Sequence, residues 1–194
     1  MDDVRVTDVA VPSATEGLAL IPSSRHLAGA NVELVDAETR ETRLRVKLDS
    51  VREHHDFVIL DCPPALDLLT LNALVAADSV LIPIQCEYFA LEGVSALMDT
   101  VERIQESLNP SLHTEGVLLT MFDERTSLAR QVANDLREVF GSDVFQTVIP
   151  RNVRLAEAPS HGKPVMQYDV RSKGAEAYLA LAREILSRTA AAAT

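Results

Sequence analysis

The chain has 194 residues, 47% of them hydrophobic, and a formal net charge of −11. That length and apolar content support one well-buried domain, and the charge excludes a protein coated in positive charge. No segment reaches the ~18 uninterrupted apolar residues of a membrane span, no signal peptide precedes the acidic start Met1-Asp2-Asp3, and Cys62 and Cys86 form no C-x-x-C pair, so a reduced cytoplasmic protein is expected.

In chain order, short apolar runs alternate with amphipathic segments. Leu18-Ala-Leu-Ile21 reads as a first strand closed by Pro22, and Arg43 to about His55 as a helix with Leu44, Leu48 and Val51 on one face. Phe57-Val-Ile-Leu-Asp-Cys-Pro-Pro64 follows. A continuous apolar run this short predicts a strand over 57–61, buried on both faces as in a parallel sheet. The two prolines stop the ladder at about Cys62. Leu68 to Ala77 reads as a helix, and Val80-Leu-Ile-Pro-Ile84 as a second buried strand. The spacing of Val94, Leu97, Met98, Val101, Ile104 and Leu108 predicts a helix over 91–108, stopped by Asn109-Pro110.

Val117 to Phe122 is a further strand, and Ser127 to Phe140 a helix with Leu128, Val132, Leu136 and Val139 inward, ended by Gly141. Val144 to Ile149 is a strand that Pro150 terminates. A loop rich in Arg, Pro, Ser and Gly covers 151–164, Gly174 to about Arg188 is the closing helix, and 189–194 is a frayed tail. Strands separated by helices indicate βαβ units: a single α/β domain with a mostly parallel sheet flanked by helices.

Asp61 stands at the carboxyl end of a predicted central strand, where open α/β sheets bind their ligands. A carboxylate behind such a strand is how P-loop NTPases hold the magnesium of a bound nucleotide. The plain alternative is that Asp61 caps the Cys62-Pro63-Pro64 turn. The phosphate cradle G-x-x-x-x-G-K-[ST] is absent from these residues, and Gly162-Lys163 lacks both the preceding glycine and the following Ser or Thr. Charge is uneven as well. Residues 1–124 hold 8 Lys/Arg against 22 Asp/Glu, whereas residues 125–173 hold 8 against 5. The second segment can build a basic face of the kind DNA requires, although a solvated mixed surface gives the same count.

Five blocks then follow one another in order: Ile59-Leu-Asp-Cys-Pro-Pro-Ala65, Leu71-Asn-Ala-Leu-Val-Ala-Ala-Asp78, Pro83-Ile-Gln-Cys-Glu-Tyr-Phe-Ala-Leu-Glu-Gly93, Leu119-Thr-Met-Phe-Asp-Glu-Arg-Thr126 and Ile149-Pro-Arg-Asn-Val-Arg-Leu-Ala-Glu-Ala-Pro-Ser-His-Gly-Lys-Pro164. Together they strongly resemble the ParA/Soj chromosome- and plasmid-partition ATPases, deviant-Walker P-loop NTPases related to the MinD cell-division ATPases. The resemblance runs from about Glu16 to Ile185. It implies ATP and Mg²⁺ as cofactors, an ATP-dependent dimer, binding to DNA without sequence preference on the nucleoid, and a ParB-type centromere-binding partner that stimulates hydrolysis. Residue by residue, it implies that Asp61 acts on Mg²⁺ through water. Met121, Pro150, Arg151 and Asn152 become an adenine-side wall, and Arg125 and Arg154 become contacts to DNA phosphates. Surface pairing of these arginines with acids such as Glu124 and Glu157 is the plainer reading of the residues themselves.

The sequence departs from the family where its Gly-rich loop with two lysines and its switch aspartate belong, upstream of Glu16. On the resemblance the chain is the C-terminal portion of such an ATPase, missing the N-terminal P-loop strand and helix. It is expected not to hydrolyse ATP alone, because nothing wraps the phosphates or attends the transition-state charge. Strand 57–61 would then lack its neighbour, making the isolated chain marginal or oligomeric. The alternative is a non-catalytic adaptor that binds DNA or a full-length ParA relative.

Overall fold

Apolar spacing sets where this chain coils, and the partners available to each run decide where it pairs. The computed structural model describes residues 4–192, so Met1-Asp2-Asp3 and the end of the expected tail at 193–194 lie outside the described residues. The chain divides into two compact units, one from residues up to Ser79 with Val101–His113, the other from Val80–Thr100 with the residues from Thr114 onward.

In the first unit, a helical turn α1 (Val6–Val9) precedes two-residue strands β1 (Val11–Pro12) and β2 (Ala19–Leu20), paired antiparallel with Val11 opposite Leu20. The run expected as a first strand of the parallel sheet is therefore an exposed ribbon. Gly17, in the left-handed region at φ 77°, turns the chain back on itself. A second turn α2 (Ala30–Glu33) leads to α3 (Arg43–Leu48), shorter than the helix expected to His55. The Ser50 hydroxyl donates to the Lys47 carbonyl, and the Val51 N–H bonds the Leu48 carbonyl in a tighter three-residue step. A 3₁₀ turn, Arg52–His54, then ends the segment.

Helix α4 (Leu68–Ala76) starts where Asp67 accepts hydrogen bonds from the Leu69 and Thr70 amides, satisfying two amides that the helix itself leaves unpaired. Leu48, Val51 and Ala76 form a small core, with Leu44 and Leu60 packed on it. Two buried asparagines supply polar ties. Asn72 donates to the Arg40 and Leu68 carbonyls and accepts from the Leu44 amide, and Asn109 donates to the Leu74 and Ala77 carbonyls.

Residues 57–63 are not a strand, which corrects the expectation for 57–61. The run is as apolar as predicted, but among the described residues no strand pairs with it, and Ile59 is 87% exposed. An unpaired extended run has no ladder to belong to.

The second unit holds the larger core. Strands β3 (Ser79–Gln85) and β4 (His113–Thr120) are hydrogen-bonded neighbours joined through helix α5 (Ala90–Ser107), whose residues from Val101 onward belong to the first unit; α5 is the helical crossover that parallel neighbours require. Residues 144–150 continue the sheet on the far side of β4 through parallel bridges Val117 to Val144 and Phe122 to Pro150. The expected strand at 144–149 is thus present as an extended, bridged segment. Helix α6 (Ser127–Phe140) has the predicted bounds, but of the four residues expected inward only Val132 and Leu136 are buried: Leu128 and Val139 are exposed, and Ala129 and Ala133 complete the buried face. The Thr126 hydroxyl accepts from the Ala129 amide at its start, and Gly141, at φ 53°, ends it.

Ile82, Val94, Val117, Leu119, Val132, Leu136 and Val144 bury together between sheet and helices. The other face packs Leu118, Phe145 and Ile149 against Leu181, which lies on the long helix α9, described below. Short helix α7 (Val153–Glu157) occupies part of the stretch expected as a loop over 151–164, α8 (Val165–Tyr168) follows it, and α9 (Lys173–Ala192) closes the unit, remaining helical through most of the expected frayed tail. Gly116, at φ 152°, admits no side chain: a Cβ there would lie 2.6 Å from the Asp143 carbonyl oxygen and 2.7 Å from the Phe145 ring. Among the described residues no helix is long and apolar enough to cross a membrane.

Candidate functional site

Strand β4 ends in a turn built for side-chain display. Met121 adopts φ 53°, a left-handed conformation uncommon outside glycine, and it leaves Thr120 hydrogen-bonded to the Ile84 carbonyl on β3. Beyond it the Phe122 amide donates to the Ile149 carbonyl, and the Arg151 amide donates back to the Phe122 carbonyl, at 3.1 and 3.0 Å. These two bonds bring Met121, Pro150 and Arg151 onto adjoining turns at one end of the sheet. Asn152 follows directly and caps α7, its side-chain oxygen accepting from the Arg154 amide at 2.9 Å.

A clamp from α9 fixes the segment that carries this turn. Both carboxylate oxygens of Glu184 accept backbone N–H groups, from Gln146 and Thr147, each at 2.8 Å. Burial pushes the Glu184 carboxyl up, but the Gln146 and Thr147 amides with the Arg188 guanidinium outweigh it, and the net direction is down. One turn on, Arg188 donates to Glu184 and to the Val144 and Glu115 carbonyls, while its guanidinium lies 4.1 Å from the Phe145 ring centroid. The i, i+4 spacing of Glu184 and Arg188 was visible in the sequence, but their targets 38 and 44 residues away were not.

Both arginines singled out from the sequence project from this unit. Arg125 is 84% exposed, and its guanidinium grips Asp123 with two bonds, Nε at 2.9 Å and Nη2 at 2.7 Å. The Arg125 amide also donates to Asp123. The guanidinium bonds first, then that amide and the charges of Arg125 and Arg151, hold the Asp123 carboxyl at about 2. The partner is thus Asp123 and not the adjacent Glu124, the acid expected from the sequence. The D-x-R spacing, an Asx turn, is the signal that finds it.

Arg154, 51% exposed, donates to Glu157 at 2.8 Å and approaches Asp169 at 3.3 Å. The Arg154 bond, followed by that of the Tyr168 hydroxyl, lowers the Glu157 carboxyl, and the Tyr168 ring stacks on His161. Glu157 was the expected neighbour; Asp169 comes from a separate turn.

Asp61 belongs to the first unit, exposed on the unpaired 57–63 segment. Its nearest chemical consequence is on Cys62, whose thiol is pushed up by burial and then by the charges of Asp61 and Asp67. Among the described residues no group of three or more His, Cys, Asp or Glu is placed to hold a metal ion. One exposed carboxylate suits an outer contact through water, not a magnesium site by itself. An open groove of about 660 Å³ along Ile84, Glu87, Tyr88, Phe89 and Leu128 includes none of the candidate site residues expected from sequence.

Comparison with known proteins places this arrangement. A family model described as an AAA domain matches residues 1–114. The sporulation initiation inhibitor protein Soj of Bacillus subtilis is 54% identical over 185 residues, 95% of this chain and 73% of that protein. The chromosome partitioning protein ParA of Myxococcus xanthus is 50% identical over 188 residues, 97% of this chain and 66% of that protein. Among solved structures, cobyrinic acid a,c-diamide synthase from Mycobacterium smegmatis with bound ADP and magnesium aligns at 34% identity and a TM-score of 0.71, covering 83% of this chain and 70% of that one. The chain therefore spans about two thirds to three quarters of the length of these proteins, and it belongs to the ParA/Soj family of chromosome-partitioning ATPases.

Proposed function

We propose that this chain serves DNA partition by holding duplex DNA, without regard to sequence, through Arg125 and Arg154. The observation that carries the reading is the exposure of both arginine side chains, 84% and 51%, on a long segment of an acidic chain, residues 125–173, in which basic residues outnumber acidic ones. A strongly acidic protein meets a polyanion only where such a local surplus exists, and arginine's planar fork matches phosphate oxygens two at a time. A ParB-type protein is the proposed partner, with the nucleoid as the place of action and a second copy or a full-length relative completing the assembly.

The nucleotide half of the reading rests on Asp61 and on the turn of Met121, Pro150, Arg151 and Asn152. These are proposed as contacts in a complex whose phosphate-gripping residues are not among these 194. The chain by itself is accordingly expected to show no ATP turnover above background, and turnover that Asp61→Ala abolishes contradicts this. The DNA reading is tested by anisotropy of a labelled duplex. Arg125→Ala and Arg154→Ala should each weaken binding several-fold, equally on unrelated sequences. Undiminished affinity in both variants refutes it.

A further inference from the structure

Both proposed phosphate contacts are already engaged by carboxylates of the same chain. Asp123 fills the fork of Arg125 with two bonds, in the side-on geometry that a phosphate takes. Its own position is fixed from behind: only 21% of its side chain is exposed, and it also accepts the Arg125 amide at 3.1 Å. The guanidinium is the movable partner, on a long stem in solvent. Glu157 and Asp169 engage Arg154 from two sides, and the Tyr168 hydroxyl donates to Glu157 at 3.1 Å, holding that carboxylate in place.

We infer that Asp123, and for the second arginine Glu157 with Asp169, are built-in competitors that set the affinity of this face for DNA. Resting on the reading of Arg125 and Arg154 as phosphate contacts, the inference adds that DNA binds by exchange: each guanidinium leaves a carboxylate for a phosphate. Two features follow. The face discriminates against isolated anions, because one small phosphate offers Arg125 no more than Asp123 already does, whereas a duplex supplies phosphates to both arginines together. The two arginines also differ. Arg125 has one carboxylate to leave and Arg154 has two, so Arg125 exchanges first.

Asp123→Asn is the informative variant, because asparagine keeps an oxygen for the Arg125 amide while removing the competing charge. Exposed ion pairs of this kind are weak, so the full chain carrying Asp123→Asn should bind a labelled duplex about two- to five-fold tighter than wild type. Glu157→Gln should gain about two-fold or less, since Asp169 remains. In an Arg125→Ala background the Asp123→Asn gain should vanish, which a purely structural role or a general loss of negative charge does not produce.

Tighter binding that depends on Arg125 supports the inference. Unchanged or weaker binding in Asp123→Asn, with Arg125→Ala still weakening binding, overturns it and leaves the DNA reading standing. If neither arginine variant weakens binding, the DNA reading itself fails and the inference falls with it. Should Asp123→Asn fail to fold by circular dichroism, Glu157→Gln assayed with and without Arg154→Ala decides in the same way.

Discussion

Phe57-Val-Ile-Leu60 and Val80-Leu-Ile-Pro-Ile84 are close equals in composition, yet only the second is a strand. The later run pairs with β4, buries Ile82 to 1% exposure and is followed by the crossover helix α5. The earlier run has no strand beside it among the described residues, and Phe57, Val58 and Ile59 stay open to solvent. An apolar run specifies that a strand can be buried; whether it becomes one depends on a neighbour that closes its hydrogen bonds. The contrast matters for function. Arg125 lies in the turn that follows a packed, paired strand, whereas Asp61 lies in an extended run that no strand pairs with among the described residues.

The largest expected effect separates the two runs directly. Leu119 on β4 is completely buried, and Leu119→Ala should cost about 3–4 kcal/mol in urea denaturation. Ile59→Ala should change stability by less than ~0.5 kcal/mol. A loss of 2 kcal/mol or more (roughly the lower end for burial) at Ile59 would break the comparison by showing that this run is packed in solution.

A smaller effect sharpens it. Glu184→Ala removes two carboxylate bonds to backbone amides and should cost about 2 kcal/mol. Hydrogen exchange should then speed up at Gln146 and Thr147, two amides in the segment that places Pro150 and Arg151, with little change in unit one. Protection that persists at both amides would mean that the bridges to β4 hold the segment without the clamp.

The smallest effect concerns acid. Asp123 titrates at about 2 in the folded chain against an ordinary 3.8. A depressed carboxyl contributes its stabilisation fully above its unfolded value and loses it as pH falls through the folded one. The Arg125 pair should thus stay intact from neutral pH down to about pH 4, and an NMR titration of Asp123 should find its midpoint near 2. A midpoint near 3.8 would show that the guanidinium is already free.

Much of the second unit was legible because its signals are local. The spacing of Val132 and Leu136 and the stop at Gly141 mark α6, although Leu128 and Val139, expected inward with them, are exposed, and the 91–108 period lies within one residue of α5. Less legible was anything needing a distant partner. The ribbon at Ala19–Leu20 pairs backwards on Val11–Pro12, α3 stops at Leu48 through a hydroxyl two residues beyond it, and 57–61 lacks a neighbour. At the candidate site, Arg125 and Arg154 were found from charge and resemblance. Asp123 was one residue from the acid considered, and Asp169 reaches Arg154 only because α8 returns the chain to α7. Of the proposed nucleotide contacts, Asp61 was marked locally by the apolar run before it and the prolines after it, whereas the Met121 and Pro150 turns rest on resemblance, since no local chemistry in the sequence singles them out.

The account stands most directly on the salt dependence of duplex binding by the full chain and by its Arg125→Ala, Arg154→Ala double variant. Each phosphate contact contributes about −0.9 to the slope of log K against log salt concentration. The double variant should therefore flatten that slope by about 1.8. An unchanged slope would place the DNA-binding charge elsewhere on the chain.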